Sequence, residues 1–461
     1  MTKTKFQKLT YLVLVFIFLM TTGLSCKCFT PPAPTPAPIE LNYWGVWDDS
    51  DNLSQVFADF EALHPNIKIT YKKFRYAEYE QKLLEGWAAD QGPDIYSIPA
   101  TWIQKYQDKI LPMPSNVKLV FQETNTTLGK TETQNVVRQL PTISLADLKQ
   151  NYVNTVNDDV VINNTIYGLP YSLDSLVLYY NRDLLDAAQV ALPPATWTDM
   201  AEAVKKITKV DKDNKLSQSA IALGTADNVN QFFDITSLIM MQNGTQMTSG
   251  GRASFQNASA NDPTYLPGLQ ALLFYTDFAN PIKEVYTWNN QQPNSFDAFV
   301  SGKTAMFIGY SYYEPLIKAQ APKLNYGIAP MPQIQGTAKP VNYTDYWVET
   351  VSHKTINDPD KVNAAWGFLN FASSQDEVAK YLDKTKKPAA LRSLIDKQKQ
   401  DPDISVFANQ TLTATHWYHG KDVLKAGDIF KDMIKNMASV TDLNNQIPII
   451  NQAANLINQT F

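Results

Sequence analysis

The stretch that most constrains the fold is residues 167–185, where a turn at Gly168 and Pro170 leads into a short apolar run and then into a helix. The apolar run, residues 176–180, is too short for an isolated helix and suits a buried strand. Asp174 stands just before it, and a carboxylate at the mouth of a buried strand is costly unless it finds a partner. Two interpretations of Asp174 stay open, a cap of nearby backbone N–H groups or a contact to a ligand.

The length and composition of the chain restrict its class. With 461 residues it is long for one domain, so we predict two, and 44% hydrophobic residues can fill a core in each. A formal net charge of −5, with both signs interspersed, argues against a nucleic-acid surface. The 11% aromatic share leaves rings to spare for a binding cleft. Both cysteines, Cys26 and Cys28, precede the folded body, which excludes a disulfide framework and a cysteine-ligated zinc site there.

The N-terminus is organised like a secretory signal, which we predict over residues 1–25. Lysines precede an apolar run, residues 11–20, that is too short for a comfortable membrane span, and small residues follow it. Leu24-Ser25-Cys26 resembles a bacterial lipobox, although Gly23 stands where leucine is usual. The resemblance implies lipidation of Cys26, with an uncleaved anchor as the alternative. Residues 26–38 would then be the lipidated cysteine and a Pro-rich, extended tether.

The folded body opens with a strand–helix–strand pattern. Residues 39–47 alternate as a strand, apolar residues recur at helical spacing up to Leu63, and residues 67–71 form a second strand. Such a unit has a right-handed crossover, and ligands meet its sheet at the carboxyl ends of the strands. Trp47 and the acidic pair after it fall at that position. The alternative is a capping aspartate beside a packed tryptophan.

Three stretches together resemble the bacterial extracellular solute-binding proteins of the maltose-binding type. The resemblance implies an α/β fold of the two-lobed periplasmic-binding-protein-like type (class II), in which each lobe is a mixed sheet flanked by helices and a multi-strand hinge joins the two. It implies a first lobe of residues 39–174 and 331–374 and a second lobe of residues 175–330 and 375–461. The stretches are Y-G-L-P…Y-N-R-D-L-L in residues 167–185, G-P-D-I in residues 92–95 and F-V-S-G-K-T-A-M in residues 299–306.

Strand ends and this resemblance together nominate one set of ligand-binding side chains. Aromatic rings cover the C–H faces of a sugar, while carboxylates, amides and hydroxyls bind its hydroxyl groups. For each candidate, ordinary packing within a lobe is the alternative. The candidates are Trp47, Asp48, Asp49, Ser97, Trp102, Tyr171, Asp174, Gln231, Trp288, Tyr310, Tyr346, Trp347 and Trp417.

The sequence offers little for catalysis or metal binding. His416 and His419 are three positions apart, but the sequence shows no third ligand or adjacent glutamate beside them, so we predict no metal site. It also contains no nucleophile elbow, phosphate loop or dinucleotide glycine cluster. We therefore predict no catalytic residue and no cofactor.

The resemblance implies the substrate-binding component of an ABC importer, which captures a carbohydrate, expected to be an oligosaccharide, by hinge closure between the lobes. It implies importer permease subunits and the outer face of the cytoplasmic membrane as partners, the latter through the N-terminal lipid, and we expect a monomer that binds no nucleic acid. One alternative is a secreted carbohydrate-active hydrolase that uses Asp48 and Asp174 as paired carboxylates. Another is a binding protein for a polyol or a peptide. We interpret residues 111–164 as an irregular insertion and assign it no role.

Overall fold

The structure, a computed structural model, describes residues 36–127, 130–213 and 215–461. Contacts divide these residues into a small unit that contains residues 120–138 and a body of residues 38–119 and 139–461. The predicted signal peptide and Cys26 lie outside the described residues. No helix in the described part of the chain is long and apolar enough to cross a membrane.

The described residues contain eighteen β-strands. They are β1 (Ile39–Gly45), β2 (Ile67–Lys73), β3 (Ile95–Pro99), β4 (Asn116–Thr127), β5 (Lys130–Pro141), β6 (Val161–Ile162), β7 (Thr165–Ile166), β8 (Asp174–Ser175), β9 (Val177–Asn181), β10 (Lys209–Val210), β11 (Leu216–Ile221), β12 (Thr248–Ser249), β13 (Arg252–Ala253), β14 (Thr304–Gly309), β15 (Tyr326–Ala329), β16 (Asn342–Asp345), β17 (Trp347–Val351) and β18 (Ala414–Thr415).

α-Helices occupy about half of the remaining described residues. They are α1 (Ser50–Leu63), α2 (Tyr76–Ala88), α3 (Leu145–Asn151), α4 (Asn154–Val160), α5 (Arg182–Ala187), α6 (Trp197–Ile207), α7 (Phe232–Gln242), α8 (Pro267–Asp277), α9 (Ser295–Val300), α10 (Tyr313–Gln320), α11 (Pro359–Ala372), α12 (Gln375–Thr385), α13 (Arg392–Gln398), α14 (Ser405–Gln410), α15 (Val423–Ala438) and α16 (Leu443–Ile457).

The first sheet has the strand order β17-β3-β1-β2. Strand β1 pairs in parallel with both β2 and β3, while β17 runs antiparallel to β3. Helix α1 crosses between β1 and β2 and buries Leu53, Val56 and Phe60. The predicted strand–helix–strand unit is therefore confirmed. Because β1 and β3 are parallel, their carboxyl ends lie at the same edge of the sheet.

The second sheet has the order β10-β11-β14-β9-β15. The apolar run before Asn181 forms β9, which lies between β14 and β15 and pairs antiparallel with both. Leu178 and Tyr179 on this strand are fully buried, each against a different hydrophobic cluster on the two faces of the sheet. The prediction of a buried strand from residues 176–180 is confirmed.

Two short strands connect the sheets. Strand β8 pairs antiparallel with β16, so that Asp174 lies opposite Asp345. A single residue separates β8 from β9, which belongs to the second sheet, and a single residue separates β16 from β17, which belongs to the first. The predicted multi-strand connection between two sheets is thus present at Asp174.

Helix α12 belongs with the first sheet. It packs on α1, where Lys380 Nζ lies 2.7 Å from the Asp59 carboxylate. The next residues to join the second sheet are Ile404 and Phe407, which pack with β9. We therefore propose that the chain returns to the second lobe after residue 391, later than the predicted residue 375.

The segment predicted to be irregular, residues 111–164, is largely regular. It contains the two-stranded β4–β5 sheet and the helices α3 and α4. The prediction was wrong because the second half of β4 and the first half of β5 are polar, for example Glu123 and Gln134, so these parts lack an apolar period of two.

The close contact between helix α8 and the backbone of Phe255 provides a test of how that helix packs. A Cβ on Gly268, in α8, would lie 2.0 Å from the carbonyl oxygen of Phe255, whereas a Cβ on Gly427, in α15, would meet no atom within 4 Å. Gly268→Ala is expected to lower the free energy of unfolding by about 1–3 kcal/mol. Gly427→Ala is expected to raise it by about 0.4–1 kcal/mol, because the helix conformation suits alanine. Urea unfolding of both variants measures this, and equal effects would contradict the packing of α8.

Candidate functional site

A cleft of ≈ 780 Å³ lies within the body, at the end of the first sheet where β1 and β3 finish. Its walls come from the turns after β1 and β14, from the connecting strands β8 and β16, and from the segment that follows α12. Elements that pack on both sheets therefore contribute side chains to one cavity. Its volume is in the range that holds small-molecule ligands.

Nine of the thirteen candidate residues line this cleft. They reach it from different elements, as the strand-end argument expects, and their roles in binding stay predictions. They are Trp47, Asp48, Asp49, Ser97, Tyr171, Asp174, Tyr310, Tyr346 and Trp347.

Two of the other four candidates, Trp288 and Trp417, are core residues in this structure and do not line the cleft. Trp288 is fully buried and its Nε1 donates to Asn228 Oδ1 at 2.9 Å. Trp417 is 5% exposed, donates from Nε1 to Ser237 Oγ and packs against Phe430. A buried indole needs one acceptor for its N–H, and each finds it inside the second lobe. Nothing in the local sequence distinguishes such a ring from one in a cleft.

The last two candidates, Trp102 and Gln231, stand behind the wall of the cleft. Trp102 is buried, with its ring centre 6.5 Å from that of Trp347, and it supports that ring from the rear. Gln231 Nε2 donates to the hydroxyl of Tyr312 at 2.7 Å. Neither lines the cleft, so both act on it only through a neighbour.

Stacked aromatic rings form the most distinctive part of the cleft. The ring of Trp47 lies parallel to that of Tyr312 (5.6 Å between centres, 18° between planes) and, at 5.7 Å and 25°, to that of Tyr76. Trp347 meets Trp47 edge-on at 6.0 Å. Trp47 remains 44% exposed and Tyr312 37% exposed, which is unusual for large rings.

Tyr312 was missed in the sequence analysis. It follows Tyr310 at the end of β14, and the run of three tyrosines within residues 310–313 was the available signal. Tyr310 itself is nearly buried, and its hydroxyl donates to Asp234 Oδ2 at 2.8 Å. Tyr312 is thus more exposed than Tyr310, the residue that the sequence analysis predicted.

The acidic pair after Trp47 is engaged in ion pairs. Asp48 accepts from Lys387 Nζ at 2.8 Å and from the Tyr381 hydroxyl at 3.0 Å. Asp49 pairs with Lys73 at 2.9 Å and is largely exposed. Asp48 therefore ties the turn after β1 to the segment after α12.

Asp174 serves as a backbone and hydroxyl acceptor. Its Oδ2 accepts from Ser311 N at 2.9 Å and from Ser311 Oγ at 2.6 Å, and its Oδ1 accepts from Ser175 N at 2.8 Å. Burial raises the pKa of Asp174 to about 7, although these hydrogen bonds oppose the shift. The carboxylate lines the cleft and caps two N–H groups, so both sequence interpretations describe a part of its environment.

Glu349 is a buried cleft residue that the sequence analysis also missed. It lies opposite Ser97 in the β17–β3 pair, and its Oε2 accepts from Ser97 Oγ and from the Tyr43 hydroxyl, both at 2.5 Å. Burial raises the pKa of Glu349 to about 7 against the effect of these two donors. Its only sequence signal was an acidic residue within an apolar strand.

The charges of the cleft are largely compensated inside the protein. Lys318 pairs with Glu314 at 2.6 Å, in addition to the Lys73 and Lys387 pairs described above. Asp345 in contrast is exposed, on the connecting strand β16 opposite Asp174. The arrangement offers flat rings together with a carboxylate acceptor, which suits a polar molecule without net charge.

Comparison with known proteins gives a consistent picture. The family model described as bacterial extracellular solute-binding protein matches residues 55–441. A putative binding protein of Brucella abortus is 21% identical over 70% of this chain and 68% of its own length. The maltodextrin-binding protein of Bacillus subtilis is 27% identical over 59% of this chain and 62% of its own length. The family and these relatives are binding proteins rather than enzymes.

Solved structures show the same two-lobed α/β fold. The cyclic α-maltosyl-1,6-maltose binding protein from Arthrobacter globiformis superposes with a TM-score of 0.70 at 16% identity, over 92% of this chain and 100% of that one. A cyclo/maltodextrin-binding protein complexed with maltotetraose gives a TM-score of 0.68 at 16% identity, over 93% and 98%. The predicted fold class is confirmed.

The raised pKa of Glu349 makes the stability of the protein depend on pH. Its pKa is about 7 in the folded chain and lower when exposed, so folding is favoured by its protonated form. This stability is present below about pH 4.5 and is lost as the pH rises to about 7. In Glu349→Gln, the fall in the free energy of unfolding between pH 5 and pH 8 is expected to shrink by about 1–3 kcal/mol relative to the wild type.

Urea unfolding at pH 5, 6, 7 and 8 measures this dependence. Glu40→Gln is the matched control, because Glu40 is exposed to water at the start of β1. An unchanged pH dependence in Glu349→Gln would show that this carboxyl is already ionised in the folded protein.

Proposed function

Because this chain belongs to the family of bacterial extracellular solute-binding proteins, we propose that it captures an uncharged oligosaccharide in its cleft and delivers it to an ABC importer. The relatives support the ligand class, since one is a maltodextrin-binding protein and one solved neighbour is complexed with maltotetraose. A chain of α-linked glucose units is accordingly the first ligand to test.

The observation that carries this proposal is the exposed ring stack of Trp47 and Tyr312. Trp47 follows the first strand of the first sheet, whereas Tyr312 follows β14 of the second sheet. The flat C–H face of a sugar can stack on these aromatic rings, and that contact removes apolar surface from water. Asp345 and other polar groups at the edge would accept hydrogen bonds from the hydroxyl groups.

Ligand capture would act through hinge closure. The connecting strands β8 and β16 are short and lie between the sheets, as hinges do. A ligand favours the closed form only if it contacts that form better, and groups from both sides of the cleft provide such contacts. We propose that the protein acts as a monomer without a cofactor and that lipidation of Cys26 holds it at the outer face of the cytoplasmic membrane.

The hydrolase alternative finds less support in the cleft. Its proposed carboxylate pair, Asp48 and Asp174, is engaged with Lys387 and with Ser311 respectively. A general acid and a nucleophile both need access to the glycosidic oxygen or the anomeric carbon. We therefore propose that the ligand leaves the cleft unchanged.

The ring stack provides the test of this function. Trp47→Ala and Tyr312→Ala are each expected to weaken binding of maltotetraose by about 10- to 100-fold, because each removes about 1.5–3 kcal/mol of aromatic burial. Tyr265→Ala is the matched control, since Tyr265 is similarly exposed and does not line the cleft. Isothermal titration calorimetry measures the affinity, with mannobiose and a longer linear maltodextrin as further ligands.

Three results would contradict the proposal. The first is equal affinity in the two cleft variants and the control. The second is binding of charged peptides with no affinity for any neutral saccharide, which would favour the peptide alternative. The third is cleavage of the sugar during incubation, read by chromatography, which would favour the hydrolase.

A further inference from the structure

Three potential metal ligands converge at a point that the ring stack does not use. Asp159 lies in α4, and His416 and His419 lie in the segment after β18. The Nε2 atoms of both histidines are 2.9 Å from Asp159 Oδ1, and the three ligand atoms lie within 4.8 Å of one another. The sequence analysis lacked a third ligand because Asp159 precedes His419 by 260 positions.

The cluster is largely shielded from water, where an ionised side chain carries a high cost in free energy. The side chains of Asp159 and His416 are 1% and 2% exposed, and that of His419 is 38% exposed. A carboxylate taken out of water needs a cation or several donors nearby. The positive charge that stabilises the Asp159 carboxylate must come either from protonated imidazoles or from a bound cation.

The hydrogen bonds of His419 favour a bound cation. Its Nδ1 lies 3.0 Å from the carbonyl oxygen of Trp417, which can only accept, so Nδ1 carries the ring proton. In the neutral ring Nε2 then holds a lone pair, which faces a carboxylate oxygen. A ligating histidine typically has this arrangement, with its second nitrogen fixed by a backbone carbonyl.

His416 gives an independent indication. Among the described residues neither of its ring nitrogens makes a hydrogen bond of acceptable geometry, although Nε2 is near Asp159 Oδ1. The distance is short enough, but the direction is wrong for N–H donation. A buried imidazole nitrogen without a partner is costly, and a metal ion between Nε2 and the carboxylate would satisfy it.

The carboxylate itself is held in a ligating orientation. Its other oxygen, Oδ2, accepts from the Tyr346 hydroxyl at 2.5 Å and lies 3.4 Å from Thr155 Oγ1. Oδ1 is thereby left to face the two histidines. Outer contacts of this kind orient the ligands of metal sites, and Tyr346 also lines the cleft.

We propose that Asp159, His416 and His419 bind a divalent transition-metal cation, for which Zn²⁺ is the best match. Two imidazoles and one carboxylate are a donor set that zinc accepts, whereas Mg²⁺ and Ca²⁺ prefer oxygen alone. Bonds of about 2.0–2.2 Å in tetrahedral geometry separate ligand atoms by about 3.3 Å. The two nitrogen–oxygen distances of 2.9 Å therefore need to open by only a few tenths of an ångström. The fourth position is left for water.

The metal would join parts of the chain that pack on different sheets. Helix α4 contacts the turn that directly follows β3 of the first sheet. Trp417, between the two histidines, is packed into the core around the second sheet. The site thus lies beside the connecting strands and borders the cleft through Tyr346, whose hydroxyl donates to Asp159.

Zinc binding by the purified full-length chain tests the site. After removal of metals with EDTA, titration with ZnCl₂ is expected to show one bound equivalent and a higher unfolding temperature. His419→Gln is expected to weaken this binding by at least about tenfold, as loss of a ligand does. His353→Gln is the matched control, because His353 is exposed in a separate turn. Cys26 and Cys28 are shared by both variants and cancel in the comparison.

A spectroscopic measurement separates ligation from a structural effect of the substitution. Co²⁺ in place of Zn²⁺ is expected to give the strong visible absorption of a tetrahedral site in the wild type and in His353→Gln, and to lose it in His419→Gln. Absence of a bound equivalent in the wild type, or equal affinity and spectra in the two variants, would overturn the proposal and leave a buried histidine–aspartate ion pair.

Discussion

The hydrogen bonds of Asp174 are the interaction on which the arrangement of the cleft depends. The residue lies on the strand that passes between the sheets, and its carboxylate holds Ser311 by both N–H and hydroxyl. Ser311 stands between Tyr310 and Tyr312, so the same contact fixes the direction in which those rings leave β14. A buried carboxylate is costly unless it is satisfied, and here that requirement positions the second-lobe wall of the cleft.

Much of the fold followed from local pattern. The strand before Asn181 and the first strand–helix–strand unit were predicted because apolar period and length leave few other structures open to residues 176–180 and 39–71. The β4–β5 hairpin was missed because its polar strands lack that period. Burial of a given aromatic residue was the least accessible property, since Trp288 and Trp417 differ from Trp47 only in what distant segments bring to them.

The candidate site shows the same limit at the level of single contacts. Residues just after a strand, such as Trp47 and Asp48, could be placed at the cleft because sheet topology fixes where strands finish. Glu349 and Asp159 could not, because their partners Tyr43 and His416 are separated from them by hundreds of residues. Long-range pairs of this kind depend on the tertiary structure, which one sequence does not reveal.

The stacked rings have a consequence for selectivity. Because Trp47 and Tyr312 already shield one another from water, a molecule that inserts between the two rings must first separate them. Under the proposed function, the free energy of that separation would lower the affinity of a ligand that binds in this way. A small solute would then bind weakly, whereas an extended ligand that contacts several rings would offset the loss. The mutual stacking of the two rings would in that case disfavour short solutes without a steric barrier.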